Sequence, residues 1–274
     1  MAIVSIRISL SILFISLLIT CTLAYNEHKE WANFSYSGSN GPDKWGSLSP
    51  NFSDCSKGKA QSPVDLTMAN IIQNKQLKPL DRNYSPANAT LVNNGFNIGV
   101  HFDGDVGGIT IDGKRYSLIQ MHWHSPSEHH LEGKQLDAEL HLVHKADDRG
   151  LAVVAVLHHF GDSDPMISKI KDKLIELGKK KPKSDEEAHI ALGTFDVKWI
   201  KRNSHKYYRY VGSLTTPPCK EKVIWTILGK VRSISKKQID LLKAPLGEGF
   251  KNNARPLQPL NGRKIEMRYD NEID

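Results

Sequence analysis

The chain has 274 residues, of which 39% are hydrophobic and 24% are charged. This composition excludes a disordered or fibrous protein and is typical of one or two globular domains. The formal net charge is +7, but the basic residues form no stripe with interleaved aromatic side chains, so binding to nucleic acid is not predicted. The densest basic run, at 179–183, is followed at once by acidic residues and is typical of a solvated loop.

The first residues have the features of a secretory signal peptide. Arg7 provides a positive charge, residues 8–19 are almost wholly apolar, and the small residues Thr22 and Ala24 stand where signal peptidase reads the chain. The apolar run is shorter than a membrane span and no second run follows it, so no membrane anchor is expected. We predict a signal peptide at 1–24 and a single domain at 25–274 that enters the secretory pathway and leaves the cell.

Cys55 and Cys219 are the cysteines that follow the predicted signal peptide. In an oxidising compartment they are expected to form one disulfide, with a pair of free buried thiols as the alternative. Four Asn-X-Ser/Thr sequons agree with secretion and are candidate glycosylation sites: Asn33, Asn51, Asn83 and Asn88.

Short segments with alternating or β-branched residues predict strands through most of the chain. They are Ala89–Val92, Asn97–Phe102, Ser117–Trp123, Ala138–His144, Leu151–His158, Tyr207–Val211 and Val223–Leu228. Helices are few. Asp164 and Pro165 open one that Gly178 ends, and Ser235–Gln238 has the pattern of a capping box that opens a second. The pattern is that of one mainly-β domain with a few peripheral helices.

Four of the twelve histidines lie within residues 120–130. Side chains alternate along a strand, so Gln120, His122 and His124 share one face, while Met121 and Trp123 share the other. Two imidazoles at positions i and i+2 on one face are close enough to bind the same metal ion.

A third imidazole is available from the next predicted strand. His141 has the parity of Glu139 and Val143, and the turn-rich segment 125–134 allows the two strands to lie antiparallel. Three imidazoles without a cysteine favour Zn²⁺ and leave one position open, which is typical of a catalytic zinc site. Gln120 and Glu139 are able to orient the rings. The alternative is that these are surface or packed histidines.

The other histidines are not assigned as ligands. His129 and His130 fall in the turn-rich segment, and His144 has the parity opposite to that of the third ligand, so structural or surface roles are expected. His158 and His159 end an apolar strand and are expected at the surface.

Several motifs resemble those of one family, the α-class carbonic anhydrases, and in particular their secreted plant branch. They are Asn40–Trp45, Gln61–Leu66, Gln120–His124, Ser127–His129, Ala138–His144, Gly212–Pro218 and Arg255–Leu260. The resemblance covers essentially the whole chain after the signal peptide. It implies a single domain on a large, mostly antiparallel, twisted central sheet. The implied reaction is the reversible hydration of carbon dioxide to bicarbonate and a proton by zinc-bound hydroxide.

The resemblance also implies a role for individual residues. It makes His122, His124 and His141 the zinc ligands, and it makes Gln120, Glu139 and the backbone carbonyl of Asn253 their hydrogen-bond partners. Thr215 resembles the hydroxyl that accepts a hydrogen bond from the hydroxide and donates one to Glu128. The disulfide Cys55–Cys219 would anchor the loop that carries Thr215. The residues that resemble the substrate site are Thr215, Thr216, Val143, Val153, Leu214, Val223 and Trp225, with Tyr36 and Tyr210 in the surrounding network.

One position departs from the family pattern. Where relatives have a histidine that passes protons from the metal site to buffer, this chain has Phe96, which cannot carry a proton. His101 has the strand parity opposite to that of Phe96 and Ile98, which is compatible with a position near the rim of the cavity, but we do not expect it to replace the missing histidine. A slower, buffer-dependent enzyme is expected.

The alternative function is a storage, nectar or defence protein of the same fold with weak or no activity. The alternative location is the chloroplast stroma, reached through the secretory pathway. The expected partner is the small-molecule substrate, and the sequence carries no indication of the oligomeric state.

Overall fold

The computed structural model describes residues 34–180, 187–197 and 206–269. These residues contain sixteen strands and several short helices. The strands are β1 Asp65–Leu66, β2 Ile71–Gln73, β3 Asp81–Tyr84, β4 Ala87–Asn93, β5 Ile98–Asp103, β6 Gly107–Ile111, β7 Lys114–His124, β8 His130–Leu131, β9 Lys134–Gln135, β10 Ala138–Lys145, β11 Leu151–Phe160, β12 Ala188–Phe195, β13 Lys206–Ser213, β14 Glu221–Leu228, β15 Arg232–Ile234 and β16 Ile265–Tyr269. The α-helices are Trp45–Leu48, Asp54–Lys57, Pro165–Lys179 and Lys236–Lys243, with 3-10 turns at Gly38–Asn40, Pro50–Phe52 and Glu248–Phe250. All seven predicted strands are present within a few residues of their predicted bounds.

Thirteen of the strands form one sheet, in the order β12-β4-β5-β7-β10-β11-β14-β13-β16-β2, with β3, β6 and β15 beside this path. Most neighbouring strands are antiparallel, but β11 runs parallel to β14 and β15, and β16 runs parallel to β2. Parallel neighbours need long connections, and the connection from β11 to β14 contains the helix Pro165–Lys179. The prediction of a mainly-β domain on a large, mostly antiparallel sheet is confirmed.

The two faces of the sheet carry different cores. Met121 and Trp123 belong to the larger core, which also contains the buried side of the helix Pro165–Lys179. The opposite face carries a second core that includes Val143, Val153 and Trp225. Because side chains alternate along each strand, this opposite face also receives the histidines of β7.

Both predicted helices begin at the expected caps. The carboxylate of Asp164 accepts hydrogen bonds from the backbone N–H groups of Met166 at 2.8 Å and Ile167 at 3.1 Å. Ser235 and Gln238 form the predicted capping box of the second helix. The Gln238 amide also donates to the carbonyl oxygen of Asp164 at 2.8 Å, so the two helix starts are joined.

One surface prediction is wrong. His158 is only 1% exposed, because β11 continues to Phe160 and the start of the next helix lies over it. Its Nε2 is 3.8 Å from the Asp164 carboxylate. His159 is exposed, as expected.

Several predictions lie outside the described residues. These are the signal peptide at 1–24, the sequon at Asn33 and most of the basic run after Lys180. The other sequon asparagines, Asn51, Asn83 and Asn88, are exposed. None of the helices in the described ranges has the length and apolar character needed to cross a membrane.

Candidate metal centre

Three histidine rings meet on the face of the sheet opposite Met121 and Trp123. β7 supplies His122 and His124, and β10 supplies His141 directly opposite His122. One nitrogen from each ring lies within 4.8 Å of the others. His124 and His141 are buried, whereas His122 is partly accessible. The predicted meeting of the three rings is observed, and their binding of zinc stays a prediction.

Each ring is oriented by a hydrogen bond through its other nitrogen. His122 Nδ1 donates to the side-chain oxygen of Gln120 at 2.8 Å. His124 Nδ1 donates to the carbonyl oxygen of Asn253 at 2.6 Å, and His141 Nε2 donates to Glu139 at 2.8 Å. These are the three partners that the sequence motifs imply.

The remaining nitrogens fit a zinc ion. They are Nε2 of His122, Nε2 of His124 and Nδ1 of His141, and within the described residues Nε2 of His124 is buried without a hydrogen-bond partner. An unpaired buried nitrogen is costly unless something binds it. Tetrahedral zinc with Zn–N distances of about 2.0–2.1 Å requires nitrogens about 3.3 Å apart, and the three nitrogens here lie within 4.8 Å of one another.

The environment keeps the three rings neutral. Burial, followed by repulsion from His124 and His141, holds the pKa of His122 well below its ordinary value. Burial also lowers the pKa of His124, although its hydrogen bond to the backbone of Asn253 raises it. Burial lowers the pKa of His141 as well, although attraction to Glu139 and the hydrogen bond with it raise it. Neutral imidazole is the form that binds a metal.

A buried hydrogen-bond network behind His141 includes His129, for which the sequence predicts a structural or surface role. Its Nδ1 donates to Glu139 at 2.7 Å, and its Nε2 lies 2.7 Å from the hydroxyl of Tyr210. The Tyr210 hydroxyl in turn lies 2.8 Å from the hydroxyl of Ser62. His129 is therefore a buried positioning residue for Glu139. Nothing in its local sequence, a turn-rich segment, indicates that partner.

The hydrogen bonds to Glu139 keep its side chain ionised, as a carboxylate. Its second oxygen accepts hydrogen bonds from the backbone N–H groups of Glu128 and His129, at 2.9 and 2.8 Å. Burial raises its pKa, but attraction to His129 and His141 and the hydrogen bonds from them outweigh burial and hold the pKa well below its ordinary value. Glu139 therefore presents a fixed negative charge to His141.

Glu128 and Thr215 lie beside the three rings. One oxygen of Glu128 accepts a hydrogen bond from the backbone N–H of Arg255 at 2.9 Å, and the other lies 3.6 Å from His124 Nε2. Burial raises the pKa of Glu128 to about 7, opposed by His141, by the N–H of Arg255 and by the nearby Thr215 hydroxyl. The structure thus brings Thr215 and Glu128 together, as the motifs imply.

The predicted substrate pocket adjoins the rings. In strand register, Gln120 lies opposite Val143, Val143 opposite Val153, and Val153 beside Trp225. Val223 belongs to the same apolar cluster, and the partly buried Leu214 packs against it. An apolar wall therefore continues directly from the residue that orients His122.

A disulfide joins Cys55 to Cys219 at the end of the loop that carries Thr215 and Thr216. The loop is closed by hydrogen bonds from Leu214 N–H to the carbonyl of Lys220 at 2.9 Å and from Cys219 N–H to the carbonyl of Thr216 at 2.8 Å. The predicted pairing is present in the structure, and it fixes this loop beside Glu128.

Phe96 lies outside the metal centre. Its ring packs 5.2 Å from that of Phe34, in a cluster that contains Trp45 and Phe250. The neighbouring Tyr36 has a buried hydroxyl without a hydrogen-bond partner among the described residues. The position at which the family resemblance implies a proton-carrying histidine is thus occupied by a packing residue.

Replacement of Gln120 by alanine is expected to weaken zinc binding by about 10–100-fold, because the His122 ring then loses the acceptor that orients it. Competition with a chelator measures the affinity. Gln73→Ala, an exposed change on the edge strand β2, is the matched control and should leave the affinity unchanged. Equal affinities for both variants and the original chain would contradict the role of Gln120.

Comparison with known proteins agrees with this arrangement. Residues 40–269 match the model of the eukaryotic-type carbonic anhydrase family. Alpha carbonic anhydrase 7 of Arabidopsis thaliana is 41% identical over 235 residues, covering 86% of this chain and 84% of the relative. The structure is similar to that of dioscorin complexed with ascorbate, with a TM-score of 0.83, 38% identity and coverage of 88% and 99%. It is also similar to that of Thermovibrio ammonificans α-carbonic anhydrase with the inhibitor sulfanilamide, with a TM-score of 0.75, 35% identity and coverage of 85% and 98%.

Proposed function

Because the chain belongs to the eukaryotic-type, α-class carbonic anhydrases and resembles their plant members, we propose that it hydrates carbon dioxide reversibly to bicarbonate and a proton. The observation that carries the proposal is the meeting of three imidazoles, one with a buried nitrogen that has no hydrogen-bond partner among the described residues, beside an apolar wall. His122, His124 and His141 would hold Zn²⁺. Bound zinc supplies a water whose pKa is lowered to about 7, a property known for carbonic anhydrases in general.

The residues around the rings have separate tasks in this proposal. Val143, Val153 and Trp225 exclude water from a space where a small neutral molecule such as carbon dioxide is favoured. Thr215, placed beside the Glu128 carboxylate, has its hydroxyl proton directed towards that carboxylate, so its oxygen is left to accept a hydrogen bond from the reacting water. Thr216 in the same loop faces the product anion.

The loss of the histidine at position 96 is expected to slow turnover rather than the hydration step. Hydration releases one proton per turnover, and that proton must reach the solvent before the next cycle. Phe96 is packed among aromatic rings and offers no group that titrates. The exchange of protons with buffer would then limit the rate.

The second candidate is a non-catalytic storage, nectar or defence protein of the same fold. Two observations favour it. Phe96 stands at the position of the proton-carrying histidine, and the structure is similar to that of dioscorin, which is not named as an enzyme. The complete histidine set and the position of Thr215 beside Glu128 favour the enzyme.

We also propose that the protein functions in the secretory pathway or outside the cell. The disulfide Cys55–Cys219 supports this location, because such bonds persist in oxidising compartments. The exposed sequons at Asn51, Asn83 and Asn88 are compatible with glycosylation there.

The purified full chain is expected to contain one zinc per molecule and to hydrate carbon dioxide, with inhibition by a sulfonamide. Metal analysis gives the stoichiometry, and stopped-flow assays with and without the sulfonamide give the activity. Chelator-treated protein is the control and should regain activity when zinc is returned. If the zinc-loaded protein shows no sulfonamide-sensitive hydration, the proposed enzymatic activity is overturned and the non-catalytic candidate is favoured.

A further inference from the structure

His101 lies on the same face of the sheet as the candidate metal centre. In the antiparallel register of β5 and β7, Gly99 lies opposite His122 and His101 lies opposite Gln120. Residues that are directly opposed on neighbouring strands share a face. The parity of His101 relative to Ile98, noted in the sequence, therefore places it towards the site and not away from it.

His101 also extends the row of residues that lines the pocket. Strand by strand, His101 is followed by Gln120, Val143 and Val153. Val143 and Val153 are buried, whereas His101 is exposed, so the row runs from the apolar pocket to solvent. Diagonal neighbours on adjacent strands are about 7–8 Å apart, which sets the spacing between His101 and His122. That spacing leaves room for water between the two rings.

The titratable groups near His101 come from its own strand and two other elements. Asp103 lies two residues further along β5 and shares its face. His122 is on β7, Glu187 directly precedes β12 and His189 lies on it. The carboxylate of Glu187 lies 3.1 Å from Nε2 of His189. The intervening strand β4 presents Thr90, which lies opposite His101, and carries no titratable side chain. Burial lowers the pKa of His101, Glu187 raises it and His189 lowers it.

We propose that His101 is the proton relay of this protein, in place of a histidine at position 96. The proposal rests on the proposed function. The proton released by each hydration passes along hydrogen-bonded water to the free imidazole nitrogen of His101, which becomes imidazolium. A buffer base in solvent then removes one proton and restores the neutral ring. No other bond is made or broken in this step.

The first test compares His101→Ala with the zinc-loaded original chain at low and high buffer concentration. We expect hydration to fall by about 10-fold at low buffer, less than the roughly 10²–10⁴-fold effect of a directly positioned acid or base. A high concentration of imidazole buffer should restore the rate. Exchange of ¹⁸O between carbon dioxide and water should show unchanged interconversion with bicarbonate and slower release of labelled water. Phe96→His added to His101→Ala should recover the low-buffer rate.

The second test does not depend on turnover. With Co²⁺ in place of zinc, the His101 ring protons are expected to show paramagnetic shifts in NMR spectra. Those of His159, which lies four residues along β11 from Ala155, the residue opposite His141, should show smaller ones. The pKa of His101, read from the same spectra, should lie below its ordinary value and fall further in Glu187→Gln. His159→Ala is the matched control for activity and should behave as the original chain.

The outcomes separate the two proposals. If the original chain hydrates carbon dioxide but His101→Ala has an unchanged rate at low buffer, or if His101 shows no Co²⁺ shift, the relay is overturned and the proposed function stands. If the zinc-loaded original chain has no hydration activity, both are overturned.

Discussion

Replacement of His141 by glutamine is expected to abolish stoichiometric zinc binding and carbon dioxide hydration. Two imidazoles leave the site one short of the three protein ligands that catalytic zinc sites use. The loss should exceed the roughly 10–100-fold effect of removing an orienting partner such as Gln120. A ligand present at 1,000 times its dissociation constant stabilises a folded protein by about 4.1 kcal/mol. The variant should lose that stabilisation when zinc is added.

The chain provides a matched control on the same strand. His144 is also completely buried, but it lies on the other face of β10, where its Nε2 is 2.8 Å from the hydroxyl of Tyr84. His144→Gln should lower the free energy of unfolding and still bind one zinc. Metal analysis after dialysis, together with thermal unfolding with and without zinc, checks both variants. A His141→Gln protein that retains one tightly bound zinc would contradict the assignment of His141 as a ligand.

Loss of the disulfide is expected to have the largest effect on stability. Cys55 and Cys219 are 164 residues apart in sequence, so the bond closes a long loop in the unfolded chain. The chain-entropy treatment gives about 5 kcal/mol for such a loop, at the upper end of the roughly 2–5 kcal/mol lost when native disulfides are removed. Denaturant unfolding of Cys55→Ala/Cys219→Ala measures the difference.

The same variant should also lose activity, because the bond holds the loop that places Thr215 beside Glu128. The buried guanidinium of Arg255 donates to the carbonyl of Cys55 at 2.9 Å, and its backbone N–H donates to Glu128. A reductant should lower the stability of the original chain to that of the double variant and leave the double variant unchanged. Equal stability of the oxidised original chain and the double variant would contradict the expectation.

Much of the fold follows from short-range patterns. Strands β4, β5, β7, β10, β11, β13 and β14 were predicted from alternation and β-branched residues, because these patterns suit a sheet with one or two buried faces. The helix after Asp164 and the capping box at Ser235 were predicted from local hydrogen-bonding groups. The burial of His158 was not predicted, because it depends on the start of a helix that packs over the end of β11.

The sequence by itself determined that His122 and His124 share one face of a strand and that His141 shares a face with Glu139 and Val143, and its motifs implied that the three form one set. This is possible because the direction of a side chain on a strand depends only on its position in a two-residue period. The tertiary structure alone decided which strands are neighbours and in what register. It placed the carbonyl of Asn253 on His124, buried His129 between Glu139 and Tyr210, and set His101 opposite Gln120. Register depends on contacts among residues far apart in the chain, and a shift of one residue would turn each side chain to the other face.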